Sequence, residues 1–444
     1  MRVNIAKLAP EELLQLIEGV NWLEPLAWCA SGFILPPSLR LGGHPAHLAG
    51  LFYLQEPSAM SVVEGLKPQP GQRIVDLAAA PGGKTTHLAA AVGPDGVVLA
   101  NEVAPKRLRS LHDNLDLWGT GNVVTSHRPL DSLAAEAVPF DAAVLDAPCS
   151  GEALFRRDPK AVRHWSPAAV EGAARRQREL LRHAAAVVRP GGVLMYSTCS
   201  FGLVENEQQV IDFLASTDEW TLEDCVHDLG VDRGVAHESI ATDLTARFWP
   251  HRHPGEGQYV ARFRRESGRP APSVGARTVR TAHERRSKRS RRPTMAPEEV
   301  LAAWHKFRRD TLWGLDDAGQ RLLVRDDRLY LAPWGDPGIE DRLLARPGLL
   351  LGQARPGRFV PDPGLATTLT ADEAIRAVSW GVAEVRLAAH LRGETVADPG
   401  PDGWVLVCLE RWGLSWARRA GGVLKNHVPP HVRRQAAAFQ RRAG

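Results

Sequence analysis

The chain has 444 residues, 44% of them hydrophobic and 24% charged, with 55 Lys and Arg against 51 Asp and Glu. That composition excludes a wholly disordered, collagen-like or disulfide-scaffold protein, and at ~100–200 residues per domain the length allows two to four domains. Five cysteines, an odd number thinly spread, predict a reducing cytoplasm, and no run of about 18 apolar residues offers a membrane span.

Residues 1–69 read as a small N-terminal unit, with helical periodicity over Glu11–Gly19 and Pro/Gly-rich connections at Pro36-Pro37 and Gly42-Gly43. From 70 to 263 strands alternate with helices. Apolar, partly β-branched runs fall at Ile74–Leu77, Val97–Ala100, Ala142–Leu145, Val193–Tyr196 and Tyr259–Phe263. Helical stretches lie between them at Thr85–Ala91, Lys106–Leu117, Val170–Val188 and Glu205–Leu214. Such alternation predicts an α/β fold with a mostly parallel, doubly wound sheet. Residues 264–295 read as a linker: Arg264–Arg292 carries a net +9, leaving −5 for the remainder, with little that is apolar. It is either a solvated tether or a phosphate-binding arm. Residues 296–444 form a further folded unit whose tryptophans (Trp304, Trp313, Trp334, Trp380, Trp404, Trp412, Trp416) belong mostly to its core. Arg418, Arg419, Lys425, Arg433 and Arg434 add a second basic cluster suited to RNA phosphates.

Three motifs carry chemistry. In Ile74-Val-Asp-Leu-Ala-Ala-Ala-Pro-Gly-Gly-Lys-Thr-Thr86 a strand ends, a small-residue loop follows and a helix begins. Ligands of open parallel sheets bind at such a place. A phosphate loop is the rival, but its first glycine is Ala78 here. The next strand ends at Asn101-Glu102, a carboxylate where a ribose would lie, which suits an adenosine cofactor without polyphosphate. The strand Ala142–Leu145 runs into Asp146-Ala-Pro-Cys149-Ser-Gly151, and Val193–Tyr196 into Ser197-Thr-Cys199-Ser200. Both cysteines thus follow strand carboxyl ends on the edge that bears the loop. A disulfide does not suit the compartment, a zinc site lacks further ligands, and core packing does not account for both; nucleophilic catalysis does. Cys29, Cys225 and Cys408 are assigned to the core, and His251 with His253 lacks the ligand pattern of a metal site.

Together Asp76–Thr85, Asp146–Gly151 and Tyr196–Ser200 resemble the Sun/nucleolar-protein family of RNA cytosine-5 methyltransferases, which use S-adenosylmethionine. Tyr53–Ala59, Glu205-Asn-Glu207, Arg247–His251 and Gly255-Glu-Gly257 extend the likeness over most of residues 50–263. Gly403–Val407, Trp416 and Gly421–His427 look like the PUA-like C-terminal extension of the RsmF-type branch, which methylates small-subunit rRNA. The resemblance implies a Rossmann-like class I methyltransferase sheet, an RRM-like N-terminal RNA-binding domain and a C-terminal α+β RNA-binding extension. It also implies Cys199 as the nucleophile toward cytosine carbon 6 and Cys149 as the group that assists product release. Asp146 would bind the cytosine edge or cofactor, and Lys84 would supply positive charge. The cofactor would lie on Ala78, Ala79, Ala80, Pro81, Gly82, Gly83 and Lys84, with Glu102 on the ribose and Arg107 either a further contact or a solvated helix charge. Where relatives place an adenine-binding aspartate this chain has Pro129, leaving backbone groups or Asp131. The expected partner is small-subunit rRNA or a ribosomal subunit, met by a monomer that needs no metal and no membrane. Transfer to a nitrogen, an RNA-binding factor with a decayed enzyme core and a P-loop nucleotidase are the weaker readings.

Overall fold

The computed structural model describes residues 1–20, 22–136, 138–238, 240–267, 295–313 and 322–443; most of the stretch read as a basic linker lies outside them. The central unit is a sheet with seven principal strands: β1 (Arg73–Asp76), β2 (Val97–Asn101), β3 (Val123–Ser126), β4 (Phe140–Asp146), β5 (Val188–Thr198), β6 (Ala246–Phe248) and β7 (Gln258–Arg265). Their spatial order is β3-β2-β1-β4-β5-β7-β6. The first five are mutually parallel and β7 is antiparallel to β5 and β6. This is a Rossmann-like methyltransferase sheet.

The helices α1 (Gly83–Val92), α2 (Pro105–Trp118), α3 (Pro167–Ala186) and α4 (Glu207–Ala215) cover it, and the all-apolar cores of β1, β2 and β4 follow from being buried on both faces. The strand order reverses between β1 and β4, so the crevice at their carboxyl ends is where a ligand binds. β7 runs on to Arg265, whose guanidinium reaches Glu219 at 2.9 Å, so the first two arginines of the basic segment belong to the sheet.

The N-terminal unit is a four-stranded antiparallel sheet ordered Pro25–Leu26, Cys29–Phe33, Arg2–Val3, Phe52–Tyr53, with helices Pro10–Leu16 and Pro45–Leu48. At the other end lie the helix Pro297–Thr311, a four-stranded antiparallel sheet and a five-stranded PUA-like sheet. One face of the latter packs through Cys408 and Trp416 onto Trp304 and Phe359. Its other face shares a core with the N-terminal unit, Trp380, Val405 and Trp412 joining Val3, Leu13 and Phe52. Gly43, at φ +91°, permits the close approach of the last helix: a Cβ there would sit 2.2 Å from the Gln435 carbonyl oxygen. Trp304, Trp380, Trp404, Trp412 and Trp416 are buried, whereas Trp313 and Trp334 are exposed. Arg419 is not available to RNA, being buried with Nε 2.7 Å from Asp398.

The extension also adds an edge strand, Leu344–Arg346, antiparallel to β3. Beside it the buried Arg346 meets Asp116 of α2 at 2.5 Å and donates to the Gly348 carbonyl. Removing one partner of such a pair strands a buried charge, so Asp116→Ala should cost about 3–5 kcal/mol in denaturant unfolding. Burial and the Asp116 charge push the neighbouring Asp362 carboxyl from 3.8 up to about 7. Between those values the folded chain holds a proton that the unfolded chain releases, so stability falls as pH rises through that window. Asp362→Asn should flatten that slope in urea midpoints measured from pH 4 to 8.

Candidate active site

Parallel pairing of β4 and β5 sets Asp146 opposite Ser197. Cys149 and Cys199 leave the same sheet edge three and two residues later, and their sulfurs lie 3.1 Å apart. Both are half-buried and unoxidised, whereas Cys29, Cys225 and Cys408 are buried in the core. The hydrogen bond to Cys199 and burial hold the Cys149 thiol well above its ordinary pKa.

A carboxylate ties the two cysteine loops together. Glu205 is fully buried and accepts from Ser150 N at 2.9 Å and Ser150 Oγ at 2.5 Å, from Ser200 Oγ at 2.9 Å and from Gln177 Nε2 at 2.8 Å. Glu152 braces the second loop, accepting from Phe201 N at 2.7 Å and Gly202 N at 3.0 Å. Behind them Asn206 binds the Ser200 carbonyl and Thr198, and Arg247 Nε donates to Glu207 at 2.7 Å. Glu205-Asn-Glu207 thus anchors the cysteine loops. The sequence carried a signal for the clamp: each cysteine is followed by a serine, and those hydroxyls meet at 3.1 Å on Glu205.

Lys84 joins this site to the loop. Its Nζ lies 2.7 Å from Asp146 Oδ2, while Asp146 Oδ1 accepts from Ser197 Oγ at 2.7 Å and Gln258 Nε2 at 3.2 Å. Burial pulls the ammonium down, but Asp146, Asp76 and Cys199 together hold it above its ordinary value. Asp76 accepts from Thr85 Oγ1 at 2.7 Å, and burial raises its carboxyl to about 6.

The loop Ala78–Gly83 is braced from outside. Arg107, itself exposed, donates to the Ala80 carbonyl at 2.5 Å and stands 3.4 Å from Glu102. Asn114 binds the Pro81 carbonyl. From the N-terminal unit, the buried Arg2 donates to Gly83 O at 3.0 Å and Thr86 Oγ1 at 2.6 Å; no motif pointed to that contact. Gly82, at φ +112°, needs glycine. Glu102 is buried; its Oε1 accepts from Ala104 N, and its Oε2 has no hydrogen-bond donor among the described residues. A buried acceptor left without a donor costs about 1–3 kcal/mol, and the ribose hydroxyls of S-adenosylmethionine would satisfy it, so the residues present fit that cofactor. Asp131 is exposed, and its Oδ1 accepts from the adjacent Ser132 N.

Among the described residues one group, Cys29, Glu64 and His87, has metal-ligand spacing. His87 Nε2 is 3.2 Å from Glu64, and the charge of Arg2 acts on all three residues. His253 pairs with Asp232 at 3.0 Å.

A Rossmann-like sheet, a small-residue loop beside a buried carboxylate and a PUA-like extension are the frame of an RNA methyltransferase. The family described as 16S rRNA methyltransferase RsmB/F matches residues 63–264. The RsmF N-terminal, first C-terminal and PUA domains match residues 1–57, 306–369 and 382–434. Ribosomal RNA small subunit methyltransferase F of Erwinia tasmaniensis is 32% identical, covering 99% of this chain and 91% of its own length. That of Klebsiella pneumoniae is 33% identical with the same coverage. A solved methyltransferase homologue from Pyrococcus horikoshii superposes with TM-score 0.52 at 30% identity, over 60% of this chain and 85% of that one. The chain belongs to the RsmF family of 16S rRNA methyltransferases, and its methyl donor is S-adenosylmethionine.

Glu102→Gln should weaken S-adenosylmethionine binding by roughly 10–100-fold in calorimetry, the range expected for losing a charged acceptor. Glu205→Gln, which disturbs both cysteine loops without touching the cofactor loop, should leave that affinity unchanged and lower single-turnover methyl transfer by about 10²-fold.

Proposed function

We propose that the protein methylates carbon 5 of a cytosine in 16S rRNA through a covalent Cys199–cytosine adduct. The single observation that carries this reading is the pair of thiols 3.1 Å apart at the carboxyl edge of adjacent parallel strands. Carbon 5 of cytosine is a poor nucleophile. Addition of a thiolate to carbon 6 makes the ring enamine-like and divides one hard step into easier ones. S-adenosylmethionine supplies the electrophilic methyl group when bound.

In this reading Cys199 Sγ forms the bond to carbon 6, and carbon 5 then takes the methyl group. A base removes the carbon 5 proton, and the electron pair returns to expel Cys199. Cys149, whose thiol keeps its proton beside Cys199 Sγ, assists this release. Asp146 binds the cytosine edge, stabilising the protonated ring, and Lys84 balances the negative charge of Asp146 and of a Cys199 thiolate. The Ala78–Lys84 loop, Glu102 and Arg107 hold the cofactor. The cytosine must leave its stack to reach these groups, which favours single-stranded or locally opened RNA. The RRM-like N-terminal unit and the extension dock the rRNA around a monomeric enzyme that requires no metal.

Incubation with labelled cofactor and rRNA or small subunits, followed by nucleoside mass spectrometry, should yield 5-methylcytidine from the wild type and none from Cys199→Ala. Cys149→Ala should transfer methyl but accumulate a gel-shifted RNA–protein adduct; a label on another nucleoside would refute the two-thiol mechanism.

A further inference from the structure

One cavity among the described residues is remote in sequence from the two cysteines. It has a volume of about 870 Å³ and lies among the helix Pro297–Thr311, the turn Arg355–Arg358 and the strands Gly403–Leu409 and Trp412–Ala420. Its floor is aromatic: Phe307, Phe359 and Trp404 line it, with the exposed His427 ring 4.6 Å from Trp404 in an edge-on contact.

Its walls are cationic. Lys306, Arg309, Arg355, Arg358 and Arg418 all line the cavity, all are exposed, and none has an ion-pair or hydrogen-bond partner among the described residues. The carboxylates nearby are partly committed: Glu299 caps its own helix through Ala296 N, and Asp402 accepts from Gly421 N, leaving Asp310 on the rim. Arg376 is spent within the protein on the Trp404 and Asp310 carbonyls. Burial and the charges of Arg418 and Arg358 hold His427 below its ordinary pKa, which places three basic groups in one field.

Five free cations around a recess that presents the exposed His427 ring match the chemistry of a single-stranded polynucleotide: phosphates for the guanidinium groups and a ring for a base. A duplex would meet only the rim of such a recess. We propose that this groove is a docking site for a single-stranded stretch of the substrate rRNA, with Arg355, Arg358 and Arg418 on its phosphates and the Trp404–His427 edge beneath a base. The assignment rests on the rRNA substrate of the family and is independent of which nucleoside is methylated.

The test uses the full chain and a fluorescein-labelled single-stranded oligouridine, with anisotropy recorded over a series of salt concentrations. Replacing Arg355, Arg358 and Arg418 together by Gln removes three phosphate contacts. It should weaken binding by roughly tenfold or more and reduce the slope of log K against log salt by about 2, at ~0.7 per contact on a single strand. The thermal midpoint and S-adenosylmethionine affinity should stay at wild-type values, and in methylation of rRNA the KM should rise while kcat holds. Equal affinity and slope in wild type and variant would overturn the proposal, whatever nucleoside the enzyme modifies. A second measurement needs no variant: saturating oligouridine should raise the His427 pKa in the wild type, followed by NMR of its ring protons. A His427 titration unmoved by bound oligouridine would place the RNA elsewhere.

Discussion

Both cysteine loops depend on one buried carboxylate that pairs with no cation among the described residues. Glu205 is held by four neutral donors: a backbone N–H, two serine hydroxyls and a glutamine amide. Taking a charge out of water costs several kcal/mol, and such a group persists only where its lone pairs are met. Its donors come from both cysteine loops and from α3, so satisfying the charge requires the loops to close on each other. Parallel pairing of β4 and β5 brings the cysteines to one edge; the clamp settles where the loops go after the ladder ends. Lys84, from the Ala78–Lys84 loop, then pairs with Asp146, and the Cys199 sulfur also acts on its charge.

That loop is in turn continuous with the ends of the chain. Arg2 is buried and bonded to neutral acceptors on the loop and to Gln55, and its neighbour Val3 sits in the core that the N-terminal unit shares with the PUA-like sheet. Arg346 and Asp116 join the extension to α2, the helix that supplies Arg107. The N-terminal unit, the extension and the Ala78–Gly83 loop are therefore joined by direct packing contacts.

Much of this arrangement was legible beforehand because it is written in local signals. The two β-branched strands ending in Cys-Ser dipeptides, the Gly82-Gly83 turn and the carboxylate after β2 each follow from neighbours in sequence. The helices α1 to α4 also fall where their periodicity put them. What escaped depends on pairing across long distances. The edge strand Leu344–Arg346 comes from the extension, more than 200 residues after its partner β3, and nothing in its three residues announces that sheet. Arg2 against Gly83 is of the same kind. Arg419 illustrates the converse: it sits in a basic run, but alternation along its strand turns it inward to Asp398 while Arg418 stays outside.

The asymmetry between the two thiols bears on their roles without reference to any motif. Two sulfurs 3.1 Å apart in a half-buried site share one hydrogen bond. The bond to Cys199 and burial both push Cys149 toward the protonated state. Cys199 is also the sulfur whose charge Lys84 feels. A thiolate able to attack and a thiol able to assist departure are what a covalent route with a return step requires. Methyl transfer to an exocyclic nitrogen needs neither, because that acceptor attacks the sulfonium carbon directly. Under that chemistry the Glu205 clamp would hold two sulfurs that take no part in the reaction, whereas the proposed route through carbon 5 of cytosine uses both.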